Sequence, residues 1–95
     1  MSKIEKKAWP ELFKKVASGE KTFDLRLDDF NCKIGDILIL REWDPKIKKY
    51  TGRVLEKKVT FVLKSKDVLK FWSEEEIAKH GFQVIAFKDI KKYSL

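Results

Sequence analysis

Three features of the sequence predict a small α+β domain of five or six strands and two short helices. Residues 9 to 17 carry apolar side chains at helical spacing, Thr22 to Leu27 alternate apolar with polar, and Ile37 to Leu40 form the unbroken apolar run of a buried strand. The 95 residues make one domain, 1-95, near the size at which a single core suffices without staples.

Each element has a local reason. Residues 3 to 7 can form a short first strand, after which Trp9, Leu12, Phe13, Val16 and Ala17 repeat along one helix face, with Pro10 suited to the first turn and Gly19 to the stop. In the strand from Thr22 to Leu27, Phe23, Leu25 and Leu27 are expected to face a core, with Thr22, Asp24 and Arg26 on the other side. The acidic turn Asp28-Asp29-Phe30-Asn31 and the bend Lys33-Ile34-Gly35-Asp36 lead to a strand from Ile37 to Trp43, which Asp44-Pro45 breaks. A lysine-rich hairpin loop follows, and Arg53 to Leu63 reads as a long strand that pairs back on its predecessor. Ser73 and Glu76 form a capping-box signature, Glu74 and Glu75 complement the helix dipole, and Gly81 ends this second helix with His80 as a helix-end group in its last turn. Gln83 to Lys88 reads as the last strand, and Asp89 to Leu95 as a polar tail expected to fray. Trp9 is expected in the core, and Phe71 and Trp72 over the end of the sheet.

The single cysteine, Cys32, allows no internal disulfide, and the single histidine, His80, allows no Cys/His zinc site; no cofactor is expected. The first seven residues lack the apolar centre of a signal peptide, and no apolar run can span a bilayer, so a cytoplasmic monomer without membrane insertion is expected. With 22 basic against 15 acidic residues the net charge is +7, which favours a polyanionic partner through counterion release. Thermal adaptation is the competing reading, because lysine and glutamate abound while Asn31 and Gln83 are the lone representatives of their types. Arginine favours nucleic acid: Arg26, Arg41 and Arg53 all fall at expected strand positions, and arginine suits bidentate phosphate or base recognition.

Several segments, in order, carry a family resemblance: Trp9-Pro10-Glu11, Ser18 to Arg26, Lys33 to Leu38, Arg41-Glu42-Trp43-Asp44-Pro45 and Tyr50-Thr51-Gly52-Arg53. Together they resemble the ASCH family, and within it a prokaryotic branch of unknown function. The resemblance implies a PUA-like mixed β-barrel and an RNA-binding role, with a cleft between the first helix and the strand bearing the K-T-x-x-x-R element. Lys21, Thr22, Asp24 and Arg26 carry over onto that cleft. Two departures stand out: Ile4 occupies a position where members of the branch often have histidine, and Asp24 stands where ASCH amidohydrolases acting on acetylated cytidine have threonine.

For RNA or a nucleotide-like ligand, Arg26 and Lys21 would contact phosphate, Thr22 and Asp24 a base edge or ribose, and Trp43 or Tyr50 would offer a stacking face, with Arg41 and Arg53 adding charge. The competing structural role for Asp24 and Arg26 is an intramolecular pair that locks the cleft, since residues two apart on a strand share a face. As an amidohydrolase, the chain would use Lys21 and Asp24 as catalytic candidates. A carboxylate in place of the hydroxyl stabilises an ammonium, which argues against the same mechanism but leaves Asp24 itself as a general base. Glu74, Glu75 or Glu76 could supply a later acid. A metal-dependent ribonuclease would draw on Asp24, Asp28, Asp29 or Asp36, although the last three read as turn residues bonded to their own backbone. A protein partner is the remaining class.

Overall fold

The fold was analysed in a computed structural model, which describes residues 1–88 and 90. Strand β1 (Lys3–Ala8) is followed by helix α1 (Pro10–Ala17), strand β2 (Ile37–Asp44), strand β3 (Lys49–Lys58), the short helix α2 (Ser65–Val68), a 3-10 turn (Leu69–Phe71) and helix α3 (Glu74–His80). The chain is a small α+β structure whose three-stranded sheet has the order β1-β2-β3, with β1 parallel to β2 and β2 antiparallel to β3. A parallel pair needs a crossover, and residues 9–36 with α1 provide it.

The core lies between α1 and one face of the sheet. Ala8, Phe13, Val16 and Leu40 are buried, with Leu38 and Leu55 packed against them, and Leu40 is only 2% exposed. Pro10 opens α1, as its fixed φ and missing N–H allow, and Gly19 at φ +85° turns the chain out of the helix. The Gly19 amide donates to the Val16 carbonyl at 3.2 Å and the Lys21 amide to the Lys15 carbonyl at 2.9 Å, so the helix end fixes the backbone at Lys21. At α3 the capping box is formed: the Glu76 amide donates to Ser73 Oγ at 3.1 Å, and the Ser73 amide to Glu76 Oε1 at 3.0 Å. His80 is the last residue of that helix.

The structure departs from the sequence reading at the margins of the sheet, which among the described residues is open and three-stranded. Thr22 to Leu27 has no strand ladder, and Leu25 and Leu27 are exposed. The physical reason is visible on the edge strand β1: Arg26 Nη2 donates to the Lys7 carbonyl at 2.7 Å, so a side chain occupies an acceptor that a neighbouring strand would use. The strand expected at Arg53 to Leu63 begins earlier, at Lys49, and stops at Lys58, because β2 begins at Ile37, whose register partner is Lys58. Beyond it the Val59 amide donates to the Asp36 carbonyl at 2.8 Å and the chain leaves the sheet. Gln83 to Lys88 likewise has no strand ladder; its apolar run names no partner, and a strand needs one. Trp9 and Leu12 are exposed rather than core, since α1 meets the sheet through Phe13 and Val16 and, among the described residues, no paired strand lies beyond β1 to cover the rest of the helix face. Phe71, Trp72 and Phe82 meet edge to face at 5.9 Å between successive ring centroids and stay exposed rather than sealing the sheet end. Except for Ile90, the tail expected to fray lies outside the described residues.

Leu40 is the test of this core. Leu40→Ala should lower the free energy of unfolding by about 2–5 kcal/mol, read as a lower urea midpoint with an unchanged slope. A shift well under 1 kcal/mol would mean that α1 does not pack on β2 as described.

Candidate nucleic-acid interface

Lys21, Asp24 and Arg26 form one connected group beside the helix end. Lys21 Nζ donates to the Phe23 carbonyl at 2.6 Å, lies 3.5 Å from Asp24 Oδ1 and sits 4.7 Å from the Phe23 ring centroid. Arg26 Nε donates to Asp24 Oδ2 at 2.7 Å while its Nη2 holds the Lys7 carbonyl. The side chains of Lys21, Asp24 and Arg26 are 12%, 19% and 29% exposed, so the group is half-sheltered rather than solvated. The intramolecular Asp24–Arg26 pair is therefore real, and it leaves donors over. Arg26 Nη1 makes no hydrogen bond among the described residues, and an ammonium bonded to one carbonyl and one carboxylate retains a proton to donate. Thr22 is exposed on the same segment.

This segment separates two open cavities. The cleft toward α1 has a volume of about 530 Å³, with Trp9 and Leu12 as its apolar wall, Leu40 at its floor, and Lys7, Lys21 and Arg26 on its rim. The cavity on the other side, about 580 Å³, lies between residues 21–28 and 57–65 and includes Thr22, Leu25, Leu27, Phe61 and Leu63. The helical spacing of Trp9 and Leu12 suits a core face, and the same spacing lines a cleft when the neighbouring segment stands away from the helix.

The other four expected site residues divide between the two faces of the sheet. Between the pairs Arg41↔Val54 and Trp43↔Tyr50, the three β3 residues Thr51, Gly52 and Arg53 oppose the single β2 residue Glu42. Two extra residues preserve the period of two, so Thr51 and Arg53 both land on the α1 face, and Gly52 accepts the φ of +94° at the bulge. There Glu42, only 2% exposed, receives Arg53 Nε at 2.9 Å and Nη2 at 2.7 Å in a bidentate pair, and Thr51 Oγ1 at 2.7 Å. The Arg53 guanidinium lies 5.3 Å from the Phe13 ring centroid and its side chain is 57% exposed. Arg53 is thus committed to a buried carboxylate, a role its position in the sequence did not reveal. The hydrogen bonds from Arg53, joined by the one from Thr51, hold the Glu42 carboxyl below the usual carboxylate range against the opposing effect of burial.

Arg41, Trp43 and Tyr50 occupy the opposite face. The Arg41 guanidinium stacks 3.9 Å from the Tyr50 ring centroid, and Lys7 Nζ stands 4.5 Å from the Trp43 centroid and 5.8 Å from that of Tyr50. Of the acidic candidates, Asp28 holds Lys64 Nζ at 3.2 Å, and Asp36 accepts the Ser2 and Lys33 amides, each at 2.9 Å, as a bend residue. These amides keep the Asp36 carboxyl below its ordinary range. Among the described residues no three His, Cys, Asp or Glu side chains cluster as metal ligands, and no helix is long and apolar enough to cross a membrane.

Residues 4–74 match a protein family described as a domain of unknown function, DUF3850. The chain is also similar to an uncharacterized 12.9 kDa protein in the GpA 3' region of Escherichia phage P2, at 36% identity over 81 residues that cover 84% of this chain and 69% of the phage protein. No solved structure matches the chain.

A carboxylate held below its ordinary value of 4.5 stabilises the fold fully above the unfolded carboxylate range, and that contribution is lost as pH falls through the folded value. Glu42→Gln should therefore unfold at lower urea than the parent at neutral pH, with the gap narrowing as pH is stepped down below 4.5. A gap independent of pH would show that the Glu42 charge does not support the bulge.

Proposed function

Because the chain belongs to the DUF3850 family, whose description supplies no activity, we propose from its chemistry that it is a nucleic-acid-binding domain holding RNA or a nucleotide-like ligand in the cleft beside α1. The observation that carries this reading is the Lys21–Asp24–Arg26 group on the rim of a 530 Å³ cleft whose wall is the exposed ring of Trp9. Cations with donors to spare suit phosphate, Asp24 suits a base edge or ribose, and an aromatic wall suits a base plane, while Thr22 lines the cavity on the other side of the segment. The net charge of +7 adds long-range attraction for the same ligand.

The ASCH assignment and its PUA-like barrel belong to this proposal. The segments 22–27 and 59–63 line one cavity beside the sheet, where further strands of such a barrel would run, and Gln83 to Lys88 carries the apolar run Val84 to Phe87. Binding is favoured over amide hydrolysis because Lys21 Nζ is held by the Phe23 carbonyl at 2.6 Å and lies 3.5 Å from Asp24 Oδ1, where the amidohydrolases have a hydroxyl.

Fluorescence anisotropy with a short structured RNA tests the cleft. Lys21→Ala and Arg26→Ala should each weaken binding, and each should reduce the slope of log affinity against log salt by about one unit. Unchanged affinity in both variants, with circular dichroism reporting an intact fold, would overturn the assignment.

A further inference from the structure

We propose that the outer face of the sheet carries a second contact for the same nucleic acid, a stacking platform made by Arg41, Trp43 and Tyr50, and that the ligand is a single strand passing from the cleft over the β1 edge onto this platform. The inference rests on the nucleic-acid reading of the cleft and extends it from a nucleotide pocket to a path for a strand.

Four observations carry it. First, two cations and two aromatic rings are interleaved on one face: Arg41 over Tyr50 at 3.9 Å, and Lys7 beside Trp43 at 4.5 Å. This is the composition that binds unpaired bases, whose faces stack on rings or guanidinium planes. Second, the charge is poorly compensated. The carboxylate beside Arg41 is Glu5, at 4.0 Å, a distance too long for a hydrogen bond, and Lys7 forms no ion pair among the described residues. Third, the platform faces away from the core: α1 covers the face bearing Leu38, Leu40 and Leu55, while Tyr50 is exposed and the Arg41 side chain is 39% exposed. Fourth, cleft and platform meet in one residue. Lys7 lines the cleft and gives its carbonyl to Arg26, while its ammonium reaches the rings of Trp43 and Tyr50 on the outer face. A phosphate at Lys7 would lie between a base in the cleft and a base on the platform.

A structural role for the stacked pairs predicts loss of stability on truncation, whereas the platform predicts a loss that depends on ligand length. The test is anisotropy with labelled mono-, tri- and hexauridylate, using the full chain and the variants Arg41→Ala, Tyr50→Ala, Tyr50→Phe and Lys21→Ala, each checked by circular dichroism. The parent should bind hexauridylate more tightly than the mononucleotide. Arg41→Ala and Tyr50→Ala should each lose about fivefold or more for hexauridylate, the lower end of what one base stack contributes, and leave the mononucleotide unaffected. Tyr50→Phe, which keeps the ring, should bind like the parent. Length-independent binding, or full hexauridylate affinity in both alanine variants, would overturn the platform. Lys21→Ala judges the cleft separately: if it binds the mononucleotide like the parent while the platform variants lose hexauridylate, the cleft reading falls and the platform stands alone. An absence of binding by the parent to every length would overturn both.

Discussion

A carboxylate buried at the centre of a sheet must be satisfied, and the satisfaction of Glu42 organises much of this molecule. Its three hydrogen bonds come from Thr51 and Arg53, and both side chains can reach it only because β3 is two residues longer than β2 across that stretch. The bulge therefore sets the pairing beyond it: Trp43 stands opposite Tyr50, and Arg41 remains beside them on the outer face. Removing one partner of such a group would strand a desolvated charge, a larger penalty than the loss of an exposed pair. The same arrangement keeps Arg53 near Phe13, tying the hairpin to the helix that makes the cleft.

The edge of the sheet is managed by side-chain chemistry. β1 is an edge strand, and an open edge presents unpaired backbone groups. Arg26 takes one of those carbonyls while Asp24 holds its other side, so the segment Thr22 to Leu27 stands off from β1 and leaves a cleft against α1. The helix stop at Gly19 contributes from the other end, because the Lys21 amide is tied to Lys15 before the segment begins. Cleft and edge protection are thus two consequences of the same few contacts.

The three arginines divide by task. Arg53 is bound to a buried carboxylate, Arg26 is shared between a carboxylate and a backbone carbonyl, and Arg41 is stacked on a ring with its nearest carboxylate 4.0 Å away. Their shared position on expected strands suggested one recognition surface, but strand parity and the bulge separate them. A positive balance read from composition says how many cations there are, while the partners of each decide which remain available to an anion.

Local chemistry in the sequence determined the elements whose signals are complete within a few residues. Pro10 and Gly19 delimited α1, Ser73 and Glu76 announced the capping box, the run from Ile37 marked β2, and Asp24 and Arg26 were legible as a pair by their spacing of two. What depends on partners distant in the chain was decided by the tertiary structure. The alternation at Thr22 to Leu27 and the apolar run within Gln83 to Lys88 are strand patterns, but a ladder requires a neighbour that such patterns cannot name. The helical spacing of Trp9 and Leu12 could not say whether the facing segment would pack or stand away. The bond of Arg53 to Glu42 and the bridge that Lys7 makes between cleft and outer face arise where strands meet in register, and register is a property of the assembled sheet.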